Sequence, residues 1–202
     1  HNLYNEYEEA DSIRRDATII LLDSAHLGDL DTYLGTSYLN RKTGLYNADG
    51  TGYTYKNAHN TRGVLNNKQY RLADFYLLYA EACLGIGDAS TATIYLNKVR
   101  TRVGLPTYPG YTFKVNGEEI TSPTLEEAIR HERRMELAME GHRWFDLCRW
   151  GVAYEVMTAY MALESSEAKA EMQPFKKGVH ELLPIPNKQR QLNPSLTQNP
   201  GY

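Results

Sequence analysis

The chain has 202 residues, 42% of them hydrophobic and 23% charged, with a formal net charge of −3. That length allows one large domain or two small ones; no basic excess points to nucleic acid, and no apolar run approaches the ~18–20 residues a membrane span needs. Sixteen tyrosines stand against four phenylalanines, and tyrosine joins a flat apolar face to a hydroxyl, which suits wet recognition surfaces as well as cores.

Residues 1–22 read as a short acidic lead and then Thr18-Ile-Ile-Leu-Leu22, a compact apolar run compatible with a strand or a buried helical turn. Residues 23–69 change character: Asp, Gly, Thr, Asn and Tyr dominate, and the cluster from Asn47 through Gly50 to Gly52 marks turns. A stretch of this length is either functional or holds short strands. From Arg71 the pattern turns helical, with Tyr76, Tyr79, Ala80 and Cys83 on one stripe and Arg71, Asp74 and Glu81 on a polar one. Gly85-Ile-Gly87 breaks that helix, and Asp88 or Ser90 caps the next. The second helix carries Ala92, Leu96, Val99 and Val103 at helical intervals and ends at Gly104, with Pro106 just beyond. Two antiparallel helices of this kind resemble one tetratricopeptide-type unit, which cannot bury its own apolar faces alone.

Tyr111 to Val115 then meets Asn116-Gly117, a type I′ hairpin signature, and returns through Glu118 to Ile120. Thr124 with Glu127 has the spacing of a capping box and opens a helix that Gly141 closes. Arg143, Trp144, Asp146, Leu147, Arg149 and Trp150 begin a further helix, expected to run to about Ala162. His180 to Pro186 reads as extended, and the rest as an irregular tail rich in Pro, Asn and Gln. Cys83 and Cys148 sit among apolar residues of predicted helices and read as free buried thiols.

The stretch Thr124-Leu-Glu-Glu-Ala128 through His142-Arg-Trp-Phe-Asp-Leu-Cys-Arg-Trp-Gly151 resembles the C-terminal half of the SusD/RagB family, surface glycan-binding lipoproteins of Bacteroidetes nutrient-uptake systems. Three other segments resemble the same family in the same order. They are Asp11-Ser-Ile-Arg-Arg-Asp-Ala-Thr18, then Arg71 to Ala82 running on to Leu96-Asn-Lys-Val-Arg-Thr-Arg102, and finally Leu183-Pro-Ile-Pro186 to Gln198-Asn-Pro-Gly-Tyr202. The resemblance implies a mainly α fold: tetratricopeptide-like helical pairs in a SusD-like αα superhelix, with long loops and a small β-hairpin. Residues 1–202 would then form a C-terminal portion. It divides into a lead and tyrosine-rich loop (1–70), a helix pair (71–106), the hairpin and signature helices (107–162) and an irregular tail (163–202). The resemblance also implies a lipid anchor on the outer membrane, with signal and anchor outside this sequence. As partners it implies a glycan ligand, a SusC-like TonB-dependent transporter and the N-terminal portion of the same protein. No cofactor is implied.

His131-Glu-Arg-Arg-Met135 places methionine where a helical zinc protease needs its second histidine, so no metal site is expected and His131 reads as a surface or cap residue. Glu132, Glu136, Glu140 and Asp146 invite comparison with a glycoside hydrolase, which needs one carboxyl with a raised pKa. Arginines at close helical spacing act in the opposite direction, so Glu136, Arg143, Asp146 and Arg149 are expected to form a structural salt-bridge cluster. Asn47-x-Asp49-Gly50 echoes a calcium loop but lacks its later acidic ligand. The tyrosine-rich loop remains: Tyr33, Tyr38, Tyr46, Tyr53 and Tyr55, with Asn57 and His59, are the candidate glycan-binding residues, and Tyr108 and Tyr111 come second. Aromatic faces stack on pyranose C–H groups while amide and imidazole groups serve hydroxyls. The expected function is non-catalytic glycan binding; the alternatives are a peptide- or protein-binding helical module and, behind it, a glycoside hydrolase.

Overall fold

The structure, a computed structural model, describes residues 2–21, 37–42 and 68–202. These fall into two compact units, residues 1–142 and 143–202.

The first unit is built on an αα-hairpin of α3 (Leu72–Gly85) and α4 (Ala89–Arg102), with α5 (Leu125–Glu136) packed against both. Asp88 caps α4, its carboxylate accepting the Thr91 N–H at 3.0 Å. Leu77, Ala80 and Cys83 of α3 interlock with Ala92, Leu96 and Val99 of α4 and with Leu125, Ala128 and Ile129 of α5. The α3 stripe is therefore centred on Leu77, a position outside the predicted set, while Tyr79 stays 42% exposed. The tyrosine leans out because its ring packs edge-on against Tyr95 (4.6 Å between centroids) and parallel to Phe75 (6.2 Å). Asp74, predicted on a polar face, is buried because Arg133 donates to it at 2.8 Å.

The lead forms α1 (Asn2–Glu6), a 3-10 turn (Glu9–Asp11) and α2 (Ser12–Thr18). The apolar run after it is a strand, β1 (Ile19–Leu21), paired antiparallel with β2 (Tyr38–Asn40) so that Ile19 faces Asn40 and Leu21 faces Tyr38. Tyr7, Ile19 and Met135 make a second small core there. The hairpin forms as read: β3 (Phe113–Val115) pairs with β4 (Glu118–Ile120), Val115 opposite Glu118. Asn116 and Gly117 take φ of 52° and 88°, the two left-handed residues that a type I′ turn requires.

The capping box at Thr124 is present, with Glu127 accepting the Thr124 N–H at 2.8 Å and Thr124 Oγ1 accepting the Glu127 N–H at 3.2 Å. The helix it opens stops at Glu136, well before Gly141. Its end is satisfied from outside: the Glu136 carbonyl accepts from Lys42 Nζ at 2.8 Å and Arg71 Nη2 at 2.9 Å, which removes the need for another turn to serve that oxygen.

The second unit holds α6 (Arg143–Arg149), α7 (Ala153–Leu163), α8 (Ser166–Glu171) and α9 (Asn187–Leu192). The single helix expected to about Ala162 is broken. Gly151, at φ 70°, donates to the Cys148 carbonyl (3.0 Å) and Val152 donates to Leu147 (3.1 Å), the paired bonds of a Schellman closure. The tail also carries more order than expected. His180 lies in a turn, and residues 183–186 carry no regular secondary structure. Gln198 grips Ile185 through both backbone groups at 2.8 and 3.1 Å, and Asn199 donates to Leu183 at 2.7 Å. Cys83 is buried, Cys148 half-buried, and both are free thiols.

Candidate functional site

The ionic groups of the first unit converge on one face of α5. Glu132 and Glu136 are one turn apart, so a single guanidinium reaches both: Arg14 donates to Glu132 at 2.5 Å, to Glu136 at 3.0 Å, and to Asp11 as well. The other oxygen of Glu132 accepts from Arg100 at 2.8 Å, and Arg100 spans onward to Glu8. Arg100 also lies flat on the Tyr111 ring, 3.3 Å from its centroid. Glu136 collects Arg71 at 2.8 Å and Arg102 at 2.8 Å besides Arg14, and Glu140 takes Arg71 and Lys42.

This arrangement sets the charge state of Glu136 and Glu140. Burial alone would raise the Glu136 carboxyl, but the Arg71 hydrogen bond and the charges of Arg14 and Arg102 outweigh it and hold the pKa below its ordinary value of 4.5. Glu140 is likewise depressed, burial being outweighed by Arg71 and Lys42. A general acid needs the opposite shift.

A linkage follows. Groups with folded pKa values below the unfolded ones add stability above the unfolded value, and that stability is lost as protons arrive. Stability is therefore expected to hold from neutral pH down to near 4.5, the ordinary value for both glutamates, and to fall progressively below it. Urea midpoints taken between pH 7 and pH 3 check this. A flat profile, or one that Glu136→Gln leaves equally steep, would contradict it.

The predicted site residues separate. Tyr33, Tyr46, Tyr53, Tyr55, Asn57 and His59 lie outside the described residues. Tyr38 sits in β2, half-buried, its ring 5.2 Å from that of Tyr4. The second-choice Tyr111 is buried with one face covered by Arg100, and Tyr108 packs edge-on against it. The proposed cluster of Glu136, Arg143, Asp146 and Arg149 resolves differently. Asp146 and Arg149 pair at 2.8 Å in α6, and the guanidiniums of Arg143 and Arg149 lie 5.9 and 4.9 Å from the Trp150 ring. Glu136 takes its arginines from α2, from α4 and from Arg71 just before α3. Its helical neighbour Arg133 turns to Asp74, because burial on two sides of α5 directs those side chains to different elements. His131 is buried, not superficial, with its ring stacked 3.9 Å from Phe113.

Sequence reasoning missed Arg14, Arg100, Asp11 and Glu8 as members of the network. Their signal was present in a different form: the segments around Asp11–Thr18 and Leu96–Arg102, singled out by resemblance, supply those side chains.

Two hollows flank this network. One is a cleft of about 900 Å³ walled by the lead helices and the hairpin, with Tyr4, Glu8, Glu9, Arg15, Lys114 and Glu119 among its lining. A volume in the hundreds of Å³ is typical of ligand pockets. The other is a pocket of about 250 Å³ between Lys42, Lys68, Arg71, Arg102 and the two glutamates, Glu136 and Glu140. Among the described residues no group of His, Cys, Asp and Glu is placed to hold a metal ion, and no helix is long and apolar enough to cross a membrane.

Comparison with known proteins bears on the whole arrangement. The SusD family profile matches residues 24–202. SusD-like protein P25 of Formosa agariphila is 34% identical over 141 residues, covering 68% of this chain and 25% of the relative. A SusD-like protein of Bacteroides ovatus is 32% identical over 165 residues, covering 74% and 26%. Among solved structures, a laminarin-binding SusD-like protein aligns with a TM-score of 0.60 and 32% identity over 97% of this chain and 38% of the other. A SusD homologue from Bacteroides thetaiotaomicron aligns at 0.59 and 25% identity over 96% and 41%. The chain thus spans about a quarter of the length of the curated relatives it matches. With the αα-hairpin, the capped signature helix and the arginine-held glutamates, these matches agree on one assignment: the chain belongs to the SusD family.

Proposed function

We propose that this chain is part of a protein that binds oligosaccharide at the bacterial cell surface, without chemistry, and passes it to a TonB-dependent outer-membrane transporter. In this reading the protein is held at the outer membrane by a lipid anchor. The observation that carries the proposal is the likeness to a structure described as laminarin-binding, over 97% of this chain. The electrostatics support the non-catalytic part, since Glu132, Glu136 and Glu140 are each bonded to cations. Tyr33, Tyr38, Tyr46, Tyr53, Tyr55, Asn57 and His59 remain the proposed sugar-binding set, by the stacking and hydrogen-bonding chemistry of their side chains.

Affinity electrophoresis of the intact protein in gels cast with neutral polysaccharides, laminarin among them, and with acidic ones tests the reading. Mobility is expected to be retarded in at least one gel, with no reducing sugar released. Replacing Tyr46, Tyr53 and Tyr55 together by alanine should abolish the retardation. No retardation in any gel, alongside binding to a peptide array, would assign the protein to peptide capture instead.

A further inference from the structure

Four cations converge on the smaller hollow. Arg71, Arg102, Lys42 and Lys68 line the pocket of about 250 Å³, with Glu136 and Glu140 as its acids. Deeper in, Arg14 and Arg100 are taken up by Asp11, Glu132 and Glu8. Arg14 lines the pocket too and shares Glu136, so among the described residues the whole network sets six cations against five carboxylates. Part of that charge remains wet: the Arg71 side chain is 25% exposed and that of Arg102 56%, and Lys68 is exposed.

Arg71 donates to Glu136 and Glu140, and Arg102 to Glu136, so an incoming anion would share or compete for these donors. Guanidinium groups present N–H pairs in a plane that fits carboxylate and other multi-oxygen anions. Of the three N–H donors of Lys42, the Glu136 carbonyl and the Glu140 carboxylate take two. The Lys42 ammonium is held below its ordinary pKa, by burial first and by the like charge of Arg71 besides, against the pull of Glu140. A seated anion would offset the repulsion from Arg71. The volume corresponds to about eight waters at ~30 Å³ each, enough for one charged substituent and part of its ring but not for a chain of sugars. Lys42 and Lys68, far apart in sequence, both line this pocket.

We infer that this pocket binds a carboxylate or sulfate group carried on a sugar, so that the glycan captured is an acidic one. The inference rests on the glycan reading above and narrows its substrate class. Arg71 and Arg102 would bracket the anion, and Lys42 and Lys68 would close the ring of charge around it.

Isothermal titration of the intact protein with glucuronate, glucose 6-sulfate, inorganic sulfate and glucose tests it. One of the two charged sugars is expected to bind at least about tenfold more tightly than both glucose and inorganic sulfate, and which one does so identifies the group. Lys68→Gln should remove most of that preference while leaving the melting transition in place, because Lys68 is exposed; Arg102→Gln should remove it too, with some loss of stability because Arg102 also serves buried Glu136. Charged sugars no tighter than glucose would overturn the inference, as would a preference that survives both substitutions. Inorganic sulfate matching glucose 6-sulfate would reduce the pocket to an adventitious ion only. Retardation in neutral polysaccharide gels without any acid preference would sink this inference alone; no retardation in any gel would sink the glycan reading beneath it.

Discussion

Glu132→Gln is expected to cost about 3–5 kcal/mol of folding stability, the usual penalty for breaking a buried ion pair by removing one partner. Glu132 is fully buried and joins two guanidiniums that are themselves out of solvent, Arg14 and Arg100. An amide keeps the shape but removes the charge, leaving two buried cations short of one neutralising group. Native domains hold only about 5–15 kcal/mol in total, so the loss would be a large part of the margin. The control lies on the same helix: Glu126 pairs with Arg130 one turn away, with both side chains reaching water, and exposed pairs of this kind contribute about 0.3–0.5 kcal/mol. Urea unfolding of Glu132→Gln beside Glu126→Gln reads the difference. Equal, small shifts in midpoint would mean that the buried network does not hold the unit together.

The same network shows what can and cannot be read from a sequence. The αα-hairpin was legible because its information is local: Ala92, Leu96 and Val99 repeat at helical spacing, and Asp88 caps one residue before the helix begins. Asn116-Gly117 was legible for the same reason, since the turn type depends on two adjacent residues. The ion network was not legible, because Glu132 draws its arginines from positions 118 and 32 residues away. Arg133 lies three residues before Glu136 on the same helix, yet packing turns it to Asp74 on α3. The break at Gly151 was missed because helical spacing of apolar residues continues across it, from Cys148 through Val152 to Val156. Only the backbone bonds of the glycine end that helix.

The cations around α5 differ in how far they are buried. Arg14, Arg100 and Arg133 have their guanidiniums buried and engaged within the unit, so they serve to place α5 against the lead helices and the αα-hairpin. Lys42, Arg71 and Arg102 engage the same helix from its wet side, where an incoming ligand can compete for their donors. Buried and solvent-reaching arginines thus meet at Glu136.

Leu96→Ala should be nearly as damaging as the loss of Glu132, for an unrelated reason. Leu96 has no exposed surface and sits in α4 among the residues that lock α3, α4 and α5 together. Truncating a buried leucine removes its transfer free energy and leaves a cavity, and together these cost about 2.7–5 kcal/mol. Little relaxation is available here, since Ala80 and Ala92 are already small and fully buried, and the surrounding helices are pinned by the ion network. The upper half of that range is therefore expected. Ile94, two residues earlier on the same helix, is 53% exposed, and Ile94→Ala should cost less than about 1 kcal/mol. Chemical unfolding of the two variants side by side measures the contrast. If both lost the same stability, the face of α4 that carries the core would have been assigned wrongly; if Leu96→Ala alone collapses the unit, the interlocked helices set the platform on which the charged pocket stands.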